Sequence, residues 1–112
     1  MILKEGIYTE VTKVVNGEQV RMHPVHQIIT AMEVADRISK KLIKMDAVIT
    51  AIFDGGHMIG SKHYEGKAFD MRKSNFSETE RKEFFRELTI ELGSDFDVVE
   101  EATHFHIEFD PK

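Results

Sequence analysis

Between Val25 and Leu42 the apolar residues Val25, Ile28, Ile29, Met32, Ala35, Ile38 and Leu42 recur at helical spacing. That period lines one face of an α-helix and leaves the opposite face polar, so the stripe has to be buried against another element. Pro24 suits the first helical turn, where a missing N–H is no loss, and a helix is predicted over 24–42. The stretch that follows, Ala47 to Phe53 (AVITAIF), is a nearly continuous apolar run rich in β-branched residues and closed by Asp54-Gly55-Gly56. It reads as a buried strand, the natural surface for that helix.

The rest of the chain repeats this alternation of periods. Ile7 to Val15 alternates loosely and ends at Asn16-Gly17, which predicts a small hairpin returning through Glu18 to Met22. Lys67 to Arg72 is expected as a strand with Ala68, Asp70 and Arg72 on one face and Phe69 and Met71 on the other. Ser77-Glu78-Thr79-Glu80 is a capping box, and behind it Phe84, Phe85, Leu88 and Leu92 form an apolar helical face stopped by Gly93, with both phenylalanines expected in the core. Phe96–Glu101 and Phe105–Phe109 are two further extended segments separated by little more than a turn. The expected class is α+β: one domain over residues 1–112, with two main helices packed on a small, largely antiparallel sheet.

Composition excludes several functions. The formal charge is -5 and the basic residues are scattered among acids, so the electrostatic footprint of nucleic-acid binding is missing. No run approaches the roughly 20 apolar residues of a membrane span, and MILKEGIYTEV has too short an apolar stretch for a signal peptide; synthesis in the cytoplasm without an export signal is expected. Absence of cysteine removes disulfides, thiolate metal sites and cysteine nucleophiles together. A transition-metal site would have to be built from His, Asp and Glu, and the six histidines make that possible.

Two stretches concentrate that chemistry. SKHYEGKAFDMR holds His63 and Asp70, and EEATHFHIEF holds His104 and His106 at a spacing of two. On a strand that spacing sets both imidazoles on one face, about 7 Å apart at the backbone, with Phe105 turned to the core. If His63, Asp70 and one histidine of the pair converge, they make a nitrogen, oxygen, nitrogen set with a fourth position free, the arrangement of catalytic zinc sites. Glu100 and Glu101, just ahead of the histidine pair, can supply a carboxylate base. His23 and His26 flank Pro24 and form a weaker pair with no evident carboxylate partner.

Ser61-Lys62-His63-Tyr64-Glu65-Gly66-Lys67-Ala68-Phe69-Asp70 resembles the S-x-H-x-x-G-x-A-x-D pattern of the zinc peptidases that cut peptidoglycan stem peptides. These are the D-Ala-D-Ala carboxypeptidases and the phage L-alanyl-D-glutamate endopeptidases, whose fold also serves as the N-terminal signalling domain of hedgehog proteins. His104-Phe105-His106 is similar to the H-x-H that closes the pattern. The resemblance implies Zn2+ held by His63, Asp70 and His106, with His104 beside it to stabilise an oxyanion. Many members keep the catalytic glutamate three positions before the last ligand, where this chain has Thr103; hedgehog-type members hold it six before, which gives Glu100 as general base and Glu101 as the fallback. The substrate-binding arginine of many members has no counterpart in AIFDGGHMIG, and His57 and Ser61 are the expected substrate contacts instead. The implied function is a zinc-dependent metallopeptidase hydrolysing peptidoglycan stem peptides, as a carboxypeptidase or endolysin-type endopeptidase of phage or prophage origin, acting at the cell wall after release or carried in a virion. The alternative is a non-catalytic, hedgehog-like metal-binding module acting in partner binding.

Overall fold

A computed structural model describes residues 1–53 and 62–111. The chain runs β1 (Ile2–Leu3), β2 (Val11–Val15), β3 (Glu18–Met22), α1 (His26–Ile43), β4 (Val48–Ala51), a 3-10 turn (Lys62–Glu65), β5 (Ala68–Arg72), α2 (Glu78–Leu92), β6 (Phe96–Glu100) and β7 (His104–Phe109). It is an α+β fold: two helices on a mixed five-stranded sheet of order β1-β4-β5-β7-β6, plus the separate β2-β3 hairpin. The five-stranded sheet is antiparallel except where β1 runs parallel to β4.

Pairing register sorts the strand residues by face. Ile49 pairs with Met71, Met71 with Phe105, Phe69 with Ile107 and Val98 with Ile107, so these side chains share the helix-covered face. There they meet Ile28, Ala31, Met32, Ala35 and Ile38 of α1 and Phe84 and Leu88 of α2. The Phe84 and Phe105 rings lie 4.9 Å apart, and Phe76 meets Phe105 edge-on. The opposite face carries Asp70 against His106, Arg72 against His104 and Ala68 against Glu108. One face of the sheet is thus hydrocarbon and the other is chemistry, and period-2 alternation produces both.

Local signals account for the element ends. The Ser77 side chain accepts from the Glu80 N–H while the Glu80 carboxylate accepts from the Ser77 N–H, which closes the capping box at the start of α2. Asn16 and Gly17 both have positive φ, 52° and 81°, as a two-residue hairpin turn of that twist requires. Pro24 does not sit in the first turn of α1. The extended Val25 is the N-cap, and its N–H bonds the Gly66 carbonyl at 2.9 Å, so the helix starts only after that anchor. Ile29 falls outside the buried stripe, and Phe85 is half-buried at the edge of the core rather than inside it. Among the described residues no helix is long and apolar enough to cross a membrane.

Candidate metal centre

Three separate elements bring the chemistry together. The cross-strand pairing of Asp70 on β5 with His106 on β7 sets those side chains next to each other on the open face. His63 comes from the 3-10 turn before β5, which is closed by the Gly66 N–H on the His63 carbonyl and the Lys67 N–H on the Lys62 carbonyl. Gly66 has φ +68°, and a Cβ there would stand 2.7 Å from the His23 carbonyl oxygen, so only glycine lets the turn close against the start of α1.

The three side chains meet atom to atom. His63 Nε2 lies 3.1 Å from Asp70 Oδ1 and 3.2 Å from His106 Nδ1, and His106 Nδ1 lies 3.0 Å from the same Asp70 oxygen. His63 is 1% exposed and Asp70 6%. The outer ring nitrogens fix the inner ones. His63 Nδ1–H donates to the Ile52 carbonyl at 2.7 Å, because a carbonyl can only accept, and His106 Nε2–H donates to the Glu108 carboxylate at 2.8 Å. In the neutral rings His63 Nε2 and His106 Nδ1 are therefore bare, and two nitrogen lone pairs and a carboxylate oxygen converge on one point.

That convergence is repulsive unless a cation sits within it. In the metal-free protein the cation is a proton. The Asp70 hydrogen bond, opposed by burial and reinforced by Glu108, raises the His106 pKa to about 9. Burial pushes the Asp70 carboxyl up, but the hydrogen bond from His106 and the neighbouring imidazoles of His63 and His104 outweigh it and hold Asp70 well below the usual carboxylate range. A divalent ion fits the same place. Ligand atoms bound to tetrahedral zinc at about 2.0–2.1 Å stand roughly 3.3 Å from one another, close to the 3.0, 3.1 and 3.2 Å sides of this triangle. The donor set of two imidazoles and a carboxylate suits zinc, and His63, Asp70 and His106 are the residues that would hold it.

His104 flanks this group without joining it. Its Nε2 lies 3.6 Å from Asp70 Oδ2 and 3.3 Å from Glu101 Oε2, and Thr103 Oγ1 meets its Nδ1 at 3.0 Å. Of the two glutamates ahead of the histidine pair, Glu101 is the one beside His104. Glu100 pairs in register with Phe105, on the helix-covered face, and its carboxylate engages Lys73 at 2.9 Å and Arg81 at 3.4 Å. The Lys73 hydrogen bond, against some burial and with help from Arg81, pulls the Glu100 pKa down. The structure thus does not bring Glu100 to His63, Asp70 and His106. His57 and Ser61 lie outside the described residues.

Glu108 and the Ile52 carbonyl, which set both imidazole tautomers, were not anticipated as site groups. Glu108 was within reach of sequence reasoning, since it lies two residues beyond His106 on one strand face. Among the described residues one other group, Asp97, Glu108 and Asp110, brings potential ligand atoms within 4.8 Å, but it has no imidazole and Glu108 is already engaged by His106. Neither group includes His23 or His26, and His23 stands 3.6 Å from the Glu10 carboxylate. Beside the centre opens a cleft of about 970 Å³ with Asp70 and His104 in its lining, together with Arg72, Lys73, Arg81 and Lys4. No protein-family model and no curated protein matches the chain.

Proposed function

We propose that the protein is a zinc-dependent peptidase that hydrolyses peptidoglycan stem peptides, of the kind its Ser61–Asp70 and His104–His106 motifs resemble. The observation that carries the reading is the mutual approach of His63 Nε2, Asp70 Oδ1 and His106 Nδ1 within 3.0–3.2 Å, beside an open cleft. His63, Asp70 and His106 would hold a divalent ion, which would supply Lewis-acid polarisation of a carbonyl and acidify a water toward neutral pH. The chain's own groups do the rest. Glu101 takes the proton from the attacking water as the new C–O bond forms, and returns it to the departing amine as the C–N bond breaks. Its 3.3 Å approach to His104 supports that role over Glu100, which is held by Lys73 and Arg81. His104, steadied by Thr103, faces the negative charge that develops on the carbonyl oxygen.

The test is incubation of zinc-loaded protein with purified peptidoglycan and synthetic stem peptides, with mass spectrometry for new termini. Cleavage that disappears with a chelator and with Glu101→Gln, and survives Glu100→Gln, supports the reading. Thr103, at the position where many members of the resembled family keep the catalytic glutamate, favours the second reading, a metal-binding module without hydrolysis. Folded, zinc-loaded protein that leaves every peptide intact selects that alternative.

A further inference from the structure

Arg72 stands two residues beyond Asp70 on β5, on the same sheet face, and pairs across to His104. It is half-buried, and among the described residues its guanidinium meets no carboxylate or carbonyl acceptor. The other two basic groups of that wall are satisfied, Lys73 by Glu100 and Arg81 by Glu100 and the Phe76 carbonyl. Lys4, whose backbone N–H is tied to the Ile49 carbonyl, lines the same cleft and likewise has no side-chain partner among the described residues. Arg72, half-buried, and Lys4, exposed at the rim, therefore face the cleft without a side-chain partner among the described residues, in a lining whose carboxylates are Glu5, beside Lys4, and Asp70. A partly desolvated guanidinium without a partner is unfavourable, and its planar fork matches a carboxylate.

We infer that Arg72, assisted by Lys4, is an anion-binding subsite of the cleft that takes a carboxylate of the bound peptide. Residues two apart on a strand are about 7 Å apart, the length of two residues of extended peptide. The recognised carboxylate therefore belongs within roughly two residues of the scissile bond. The identity of the peptide rests on the proposed function; the charge preference does not. Two carboxylates of a stem peptide share this chemistry, the free α-carboxylate of the γ-linked D-glutamate and the C-terminal D-alanine carboxylate.

Binding is read by NMR titration of isotope-labelled, zinc-loaded protein carrying Glu101→Gln, so that no peptide is consumed. The probes are the L-Ala-γ-D-Glu-L-Lys-D-Ala-D-Ala peptide, its two single amides and its diamide. The free acid should bind about tenfold or more tighter than the diamide, the gain of a charge-assisted hydrogen bond. The single amides show which carboxylate is responsible. Arg72→Gln should abolish the preference, Arg72→Lys should retain part of it, and Lys4→Gln should weaken it. Equal binding of free acid and diamide, or a preference that survives Arg72→Gln in folded protein, overturns the subsite. Either of those results alongside cleavage by the unsubstituted protein removes the subsite and leaves the peptidase, whereas an Arg72-dependent preference without any cleavage keeps the subsite and removes the peptidase.

Discussion

Loading the centre with a divalent ion should displace a proton from His106, and the size of that effect follows from the hydrogen bonds around the ring. The ligand atom would be Nδ1, because Nε2–H is donated to Glu108 at 2.8 Å, and the same Nδ1 would carry the proton that bridges to Asp70 when no metal is bound. With the His106 pKa raised to about 9, the proton at pH 7 is held by about two pKa units, so its removal costs about 2.7 kcal/mol, or roughly a hundredfold in apparent affinity. Between about pH 7 and 8.5 the apparent zinc affinity should therefore climb close to tenfold per pH unit, with one proton released per ion. Competition against a chromophoric chelator across that range gives the slope, and calorimetry in two buffers of different ionisation heat gives the proton count. Glu108→Gln should weaken zinc binding by about 10- to 100-fold, the usual consequence of losing an outer partner of a ligating histidine. An affinity flat over that pH range, with no proton released, would refute the assignment of Nδ1 as both proton carrier and ligand.

Three further outcomes follow from the same geometry. In metal-free protein the raised His106 pKa contributes stability that is fully present below the unfolded value near 6.5 and lost as pH rises through about 9. The depressed Asp70 pKa contributes stability present above its unfolded value near 3.9 and lost as the pH falls further, so urea midpoints without metal should be highest between about pH 4 and 6.5. Gly66→Ala should destabilise the fold by about 1–3 kcal/mol in chemical denaturation and weaken metal binding, because the new methyl would stand 2.7 Å from the His23 carbonyl oxygen at a left-handed backbone position. A Gly66→Ala protein of unchanged stability would contradict that tight closure. Phe105→Ala, which empties a fully buried position between the Phe76 and Phe84 rings, should cost about 3–5 kcal/mol by the same method.

Much of this architecture was legible in the sequence because single local patterns carry it. Helical spacing over 24–42, the Ser77 capping box and strand alternation at Ala68–Arg72 each depend on neighbours a few residues away, and strand parity alone assigns Asp70 and the two histidines to the polar sides of their strands. What could not be read depends on contacts distant along the chain. β1 is only Ile2–Leu3 and exists as a strand because β4 pairs with it in parallel, which leaves no periodicity to detect. Counting back six positions from His106 points to Glu100, but the chain reverses between β6 and β7, and parity does not carry across a turn. The register that pairs Val99 with His106 sends Glu100 to the side of Phe105 and leaves Glu101 beside His104. The β2–β3 hairpin was expected, yet its separation from the main sheet is a matter of docking that its own residues do not encode.

The central claim is that His63, Asp70 and His106 together bind one divalent ion. Anomalous diffraction at the zinc edge, from crystals grown with zinc, tests it most directly. The expected result is a single strong peak about 2.0–2.1 Å from His63 Nε2, Asp70 Oδ1 and His106 Nδ1. A zinc-saturated crystal with no peak there, or with its strongest peak at the Asp97, Glu108 and Asp110 oxygens instead, would contradict it.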